Sequence, residues 1–266
     1  MQEPAGTAPD SADVAAAAAT LCQARSALFV TGAGVSADSG LPTYRGAGGL
    51  YRGDGLERGM PIERILSAET LEERPELTWD VLASLERSGR GARPNRAHEV
   101  IALLQGRIPR CVVLTQNVDG LHGDAGSRDV IEIHGTTRAL RCTRCPRRER
   151  VADWSHLSFP PRCPDCGAVV RPDVVLFGEM LPEAAVGRLH GELARGFDVV
   201  FVVGTTAVFP YIVLPVRLAP LWGAPSVEVN PEESEVSALV DVRVRAGAAA
   251  ALDAIWRELN AGSRSG

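Results

Sequence analysis

Short apolar runs of four or five residues constrain this fold more than any other feature of the chain. Residues 27–31, 111–115, 199–203 and 226–229 are each bounded by polar residues or glycine, and each is too short for an ordinary helix. Runs without polar alternation read as strands buried on both faces, the pattern of a parallel sheet. Between and around them lie segments of helical character at 13–25, 95–104, 182–195, 212–220 and 248–259. Strand and helix therefore alternate as in a doubly wound α/β fold. A chain of 266 residues can bury one large core plus a small satellite.

Two stretches break the alternation: residues 47–94, rich in Gly, Arg and Glu, and residues 138–171, which hold four of the six cysteines. They are expected to form a smaller domain inserted into a sheet domain made of residues 11–46, 95–137 and 172–260. The Pro, Gly, Ala and Ser rich residues 1–10 and the tail 261–266 are expected to be disordered.

All 28 basic residues are arginine, and the net charge is −5. Without lysine, a Walker-type phosphate loop, a Schiff-base lysine and a lysine general base are excluded. The acidic balance argues against direct nucleic-acid binding. No apolar run approaches the roughly 20 residues that span a bilayer, and the start lacks a secretory signal, so a cytoplasmic, membrane-free monomer is expected.

Cys142-Thr-Arg-Cys145 and Cys163-Pro-Asp-Cys166 are two C-x-x-C pairs separated by 17 residues. Each pair can turn two thiolates toward one tetrahedral centre, and two pairs a hairpin apart complete a closed four-cysteine zinc site with a structural role. Redox dithiols or disulfides are the alternative, which a cytosolic setting disfavours. Cys22 and Cys111 lie beside or within apolar segments and are expected in the core.

After the first apolar run comes Thr31-Gly32-Ala33-Gly34-Val35-Ser36-Ala37-Asp38-Ser39-Gly40, which matches the dinucleotide pattern G-x-G-x-x-G only in part. By itself a G-x-G after a strand is as often a tight turn as a phosphate cradle. The chain continues Leu41-Pro42-Thr43-Tyr44-Arg45-Gly46. Later come Thr115-Gln116-Asn117-Val118-Asp119-Gly120-Leu121-His122, the pair His134-Gly135, and Arg171-Pro-Asp-Val174-Val175-Leu-Phe177-Gly178-Glu179. Gly204-Thr205-Thr206 and Glu228-Val229-Asn230 complete the series.

In this ordered set the chain resembles the sirtuins, whose signatures are G-A-G-x-S-x-x-S-G-I-P-x-F-R, T-Q-N-x-D-x-L-H, H-G, the four-cysteine module and R-P-x-V-V-x-F-G-E. The resemblance covers roughly residues 20–259. It implies a Rossmann-like large domain and a small domain made of a helical insertion and a zinc ribbon, with NAD and an acyl-lysine peptide meeting in the cleft between them. The activity implied is NAD-dependent deacylation of protein lysine, releasing nicotinamide, free lysine and O-acyl-ADP-ribose. NAD is consumed in this chemistry rather than reduced. An NAD-dependent mono-ADP-ribosyltransferase is the rival within the same glycosidic chemistry, and a non-enzymatic NAD-sensing or zinc-scaffold protein is a second.

The resemblance assigns roles residue by residue. His134 becomes the general base, where a lone histidine would otherwise read as structural. Asn117 and Asp119 take the nicotinamide pocket, and Gln116 with Asn117 the nicotinamide ribose; without the family they would read as turn residues. Gly32, Ala33, Gly34 and Ser36 would line the phosphates, with Arg45 near the pyrophosphate and Tyr44 on the cofactor where it would shield the nicotinamide. Gly204, Thr205 and Thr206 would meet ribose and phosphate, Asn230 the adenine-side ribose, and Ala248 the adenine. Val174, Val175, Phe177, Gly178 and Glu179 form an extended segment that would pair with the substrate backbone by strand addition; taken alone it would be one more core strand. His98, His122, His156 and His190 are expected to be structural or exposed.

The chain departs from the pattern at Tyr44, usually Phe, and Thr206, usually Ser. Sirtuins that prefer acidic acyl groups carry a Tyr-x-x-Arg pair in the helical insertion, where this chain has Leu82 and Leu85. An apolar pocket cannot desolvate a succinyl carboxylate cheaply, so acetyl or longer apolar acyl groups are the expected substrates.

Overall fold

A computed structural model describes residues 8–43, 56–57 and 59–262. Helix α1 (Ser11–Cys22) starts at Asp10, whose carboxylate accepts the Ala12 and Asp13 amides at 2.8 and 3.3 Å, which satisfies two of the donors that a helix start leaves open. Asp10 is thus an ordered cap, against the expectation for residues 1–10; residues 1–7 and 263–266 lie outside the described residues. Strand β1 (Ser26–Thr31) is buried throughout. After it, β2 (Leu56–Glu57) and β3 (Met60–Pro61) make a short antiparallel pair, followed by α2 (Ile62–Ile65), α3 (Ala68–Glu73) and α4 (Pro75–Gly89).

The chain returns through α5 (Arg96–Arg107) to β4 (Arg110–Thr115), α6 (Leu121–Asp124) and β5 (Val130–Glu132). Strands β6 (Gly135–Cys142), β7 (Arg148–Arg150) and β8 (Val170–Val174) form a separate antiparallel sheet in the order β7-β6-β8. Then come α7 (Glu183–Arg195), β9 (Val199–Val203), α8 (Pro210–Trp222), β10 (Ser226–Val229), β11 (Val242–Val244) and α9 (Ala248–Gly262).

The main sheet is six-stranded and parallel, in the order β11-β10-β9-β1-β4-β5. Alternate residues leave it on opposite faces. On one face Phe29, Val113, Phe201 and Val227 pack under α1, α5 and α9, and on the other Leu28, Val30, Val112 and Val202 pack under α7 and α8. Phe29 and Phe201 stack across β1 and β9 with centroids 5.0 Å apart. Full burial of each such side chain contributes roughly 1.5–3 kcal/mol, so this sheet supplies its own stability.

A third cluster joins the helical insertion to the small sheet: Ile62, Ile65, Leu71 and Trp79 meet Leu140, Trp154 and Val174. The two buried indoles stand edge to face at 5.2 Å, and each donates its N–H to a strand carbonyl at 3.0 Å, Trp79 to Val170 and Trp154 to Thr137. Leu82 belongs to this cluster, and Leu85 packs against it with Val118. Cys111 is buried, and burial pushes its thiol up to about 12. Cys22 is exposed, contrary to expectation, because it is the last residue of α1 and falls off the stripe formed by Val14, Ala17, Ala18 and Leu21.

Candidate active site

From β1 the sheet grows one way through β4 and β5, and from its neighbour β9 the other way through β10 and β11. Loops leaving adjacent strands at such a reversal part company and leave a crevice at the carboxyl ends. The glycine loop leaves β1 there, and Gly204-Thr205 leaves β9. Gly32 donates to the Val203 carbonyl at 3.1 Å and Gly34 to the Gly204 carbonyl at 2.8 Å. A Cβ on Gly34 would lie 2.7 Å from the Gly204 Cα, and one on Gly204, at φ +60, would lie 2.5 Å from the Gly34 carbonyl carbon. These glycines let two backbones touch, while their own amides are engaged within the protein.

The side chains expected to act together do meet at this edge. Asn117 donates from Nδ2 to the Gly32 carbonyl at 3.0 Å and to Ser36 Oγ at 3.1 Å. Ser36, buried, donates in turn to Asp119 Oδ2 at 2.8 Å, while Asp119 Oδ1 accepts the Leu121 amide at 2.9 Å. Gln116 donates to Thr205 Oγ1 at 2.8 Å, and Asn230 donates to the Thr205 carbonyl at 3.0 Å. Four loops are tied by one polar network, which rigidifies only because its members are mutually satisfied. Beneath it, His122 bonds Thr31 Oγ1 at 3.0 Å and His98 lies edge-on to His122 at 4.9 Å. Burial holds both imidazoles below their ordinary range, His122 down to about 3.

His134 sits between the main sheet and the small one, two residues after β5 and directly before β6. Its Nδ1 lies 3.0 Å from the Gln116 carbonyl and its Nε2 lies 2.6 Å from the Tyr211 hydroxyl. A carbonyl only accepts, so Nδ1 carries the proton and Nε2 keeps its lone pair. Burial lowers the pKa of His134, outweighing the upward pull of the Gln116 bond, so the ring is neutral at pH 7. Gly135, at φ +77, could not be another residue, since a Cβ there would fall 2.0 Å from the Asp173 carbonyl oxygen.

The four expected metal ligands converge. The Sγ atoms of Cys142, Cys145, Cys163 and Cys166 all lie within 4.8 Å of one another, with 3.4 Å between Cys142 and Cys166 and 3.6 Å between Cys145 and Cys163. A tetrahedral zinc with thiolates at 2.3 Å needs sulfurs about 3.8 Å apart. The Arg144 and Cys145 amides point at Cys142 Sγ at 3.4 Å, as they would toward a thiolate. The residues present fit a closed, structural zinc site.

A family model described as "Sir2 family" matches residues 32–210. The chain belongs to the Sir2 family. Among its curated relatives, the "NAD-dependent protein deacylase 2" of Pseudomonas aeruginosa is 50% identical over 87% of this chain and 91% of its own. A solved Sir2 homolog–NAD complex superposes with a TM-score of 0.83 at 35% identity, covering 92% of this chain and 93% of that one. A Sir2 structure bound to a myristoylated histone peptide superposes at 0.77 with 30% identity, covering 97% and 100%.

Other expected site residues of this sirtuin are placed less simply. Tyr44 and Arg45 lie outside the described residues. Ala248 is buried in the core cluster at the start of α9, and its neighbour Ala249 donates to Asp38 Oδ2 at 3.2 Å. Thr206 presents its carbonyl to the Glu235 amide at 3.1 Å. The extended segment stops being a strand at Val174: the Val175 amide donates to the His134 carbonyl at 2.9 Å, and Phe177 exchanges backbone bonds with Leu66 and Ala68. Glu179 turns inward to Arg171, a buried guanidinium that it grips with both oxygens at 2.5 and 3.0 Å. Burial acts upward on Glu179, but Arg171 and the Leu176 amide outweigh it and hold the carboxyl below its usual range. Gly178 and Phe177 remain exposed.

Sequence reading missed Tyr211. The phenol comes from the first turn of α8 and reaches a histidine 77 residues earlier. A weak signal was available in Phe209-Pro210-Tyr211, because proline at a helix start fixes what precedes and follows it.

Proposed function

We propose that this sirtuin removes acyl groups from protein lysine side chains at the expense of NAD, yielding nicotinamide, free lysine and O-acyl-ADP-ribose. The observation that carries this reading is the pinning of His134 by the carbonyl of Gln116, one residue from Asn117 in the network that also ties Ser36 and Asp119. What supports NAD as the occupant of the crevice is its place at the reversal of the sheet, where the glycine crossing locks the β1 and β9 loops together and amide and carboxylate side chains line the carboxyl ends of the strands. When bound, it supplies an electrophilic ribose carbon with nicotinamide as leaving group. Asn117 and Asp119 would hold the nicotinamide, Gln116 and Asn117 its ribose, Gly32, Ala33, Gly34 and Ser36 the phosphates, Gly204, Thr205 and Thr206 the ribose and phosphate beyond, Asn230 the adenine-side ribose and Ala248 the adenine.

His134, neutral at pH 7, accepts a ribose hydroxyl proton at Nε2, a contribution worth about 10²–10⁴ in rate. Val174, Val175, Phe177, Gly178 and Glu179 make up the peptide-binding segment in this reading: Glu179 and Arg171 brace its turn, and, with the Phe177 backbone engaged by Leu66 and Ala68, what it offers a peptide is the exposed Phe177 side chain and the turn at Gly178. The apolar Leu82 and Leu85, in the cluster that joins the insertion to the small sheet, favour acetyl and longer apolar acyl groups over succinyl. In the cell we propose a cytoplasmic monomer without nucleic-acid partners; among the described residues no helix is long and apolar enough to cross a membrane.

The test is NAD-dependent nicotinamide release from a panel of acetyl-, long-chain acyl- and succinyl-lysine peptides, beside His134→Ala. Soluble acyl-ADP-ribose that disappears in the variant supports the reading. Label passing from NAD to protein would favour a ribosyltransferase instead, and faster desuccinylation would overturn the acyl preference.

A further inference from the structure

Resting on the reading of His134 as base, we propose that Tyr211 is a positioning residue for the acyl-transfer half of the reaction, holding the lone pair of His134 in place until a ribose hydroxyl replaces the phenol.

The geometry leaves little freedom. With Nδ1 donating to the Gln116 carbonyl, Nε2 can only accept, so the contact of 2.6 Å makes the phenol the donor. That lone pair is the one the chemistry needs, and the Tyr211 O–H engages it. A ribose hydroxyl offers the same donor to the same nitrogen. Burial pushes Tyr211 up to about 12, so the phenol keeps its proton across the working range and can serve as such a donor throughout.

The phenol is also rigidly presented. Phe209 and Tyr211 stack with rings 10° from parallel and centroids 5.5 Å apart, and Phe209 stands edge-on to His134 at 5.9 Å. Phe209 caps α8 in an extended conformation, as a residue before proline must, which places Tyr211 in the first turn. Upstream, Ala207 is buried at φ +54, held by its amide's bond to Thr205 Oγ1 at 3.1 Å. A left-handed non-glycine residue of this kind costs of order 1–3 kcal/mol and persists only where its surroundings impose it. The turn that carries Tyr211 toward His134 is therefore built in, and anchored on the same Thr205 that Gln116 grips.

A residue that positions the base acts after nicotinamide has left, so its removal should separate the two halves of the reaction. Tyr211→Phe keeps the stacked ring and removes only the hydroxyl. Exchange of labelled nicotinamide into NAD should stay within about twofold of wild type while deacylation turnover falls roughly tenfold to a hundredfold, a misplacement of about 1 Å costing up to about 10²-fold. In the ligand-free protein, nitrogen NMR of the histidines should show the Nε2 resonance of His134 moving to that of an imidazole nitrogen with no donor, with Nδ1 unchanged.

Equal loss of exchange and deacylation, or wild-type deacylation, or an unmoved Nε2 resonance, would overturn the role of Tyr211. His134→Ala run in parallel separates this from the underlying reading. If that variant still deacylates, the base assignment itself fails; if it is inactive while Tyr211→Phe behaves as wild type, only the positioning role fails.

Discussion

The parallel sheet and the small antiparallel sheet are stabilised by different means. In the first, β1, β9 and β10 bury every residue, and helices cover both faces. In the second, β7 is exposed throughout, and β6 buries only Leu140 and Cys142. What apolar packing the ribbon has, it borrows from the helical insertion through Trp79 and Trp154. One lobe is specified by hydrophobic burial spread over many residues, the other by four sulfurs and one shared cluster. The groups of the proposed site sit on the well-buried lobe, with their last member, His134, at the seam.

The largest expected effect separates the lobes outright. Chelation of zinc, or Cys163→Ser, should abolish hydrogen-exchange protection across residues 138–171 while β1, β4 and β9 stay protected, because structural zinc is folding free energy for the module it closes. Simultaneous loss of protection in both lobes would mean that they form one cooperative unit and would erase the contrast. Phe201→Ala should do the reverse, costing about 3–5 kcal/mol in urea unfolding of the sheet lobe while zinc content stays stoichiometric.

Acid should weaken the sheet lobe next. His98, His122 and His134 all have folded pKa values lowered by burial, His122 to about 3. The unfolded chain takes up protons near 6.5 while the folded chain does not, so stability is complete above that pH and is lost as pH falls through it toward 3. A difference of one pH unit between folded and unfolded pKa values is worth about 1.4 kcal/mol, so denaturation at pH 5.5 should show a loss of at least about 1.4 kcal/mol from His122 relative to pH 7.5, to which His98 and His134 add in the same direction. The smallest effect tests the seam. Glu179→Gln leaves buried Arg171 half-paired and should cost about 2 kcal/mol, with KM for the peptide rising more than KM for NAD. An equal rise in both would mean that the turn at 175–179 serves the crevice as a whole.

The sheet was legible because burial on both faces leaves an unmistakable record: residues 27–31, 111–115 and 199–203 each reappear as strands within one residue of their apolar limits. The cysteine cluster was legible because ligand spacing is a property of the local chain. Gly32, Gly34, Ser36, Asn117 and Asp119 converge as expected, although the two glycines serve backbone contact more directly than anion binding. What escaped depends on distant partners. Nothing local to Tyr211 announces an imidazole on another loop, and nothing in 174–179 reveals that its acid folds back on Arg171 and ends the strand. Cys22 escaped for a simpler reason, since one step along a helix turns a side chain by about 100°.

His134 is joined to the ribbon by consecutive peptide units: its own carbonyl takes the Val175 amide, and Gly135 lies flat against Asp173. Whatever straightens residues 175–178 must therefore tug on the backbone that carries the imidazole. On the proposed peptide-binding segment, a docked peptide and a seated base would then share one backbone, with the Val175 amide as the link between them.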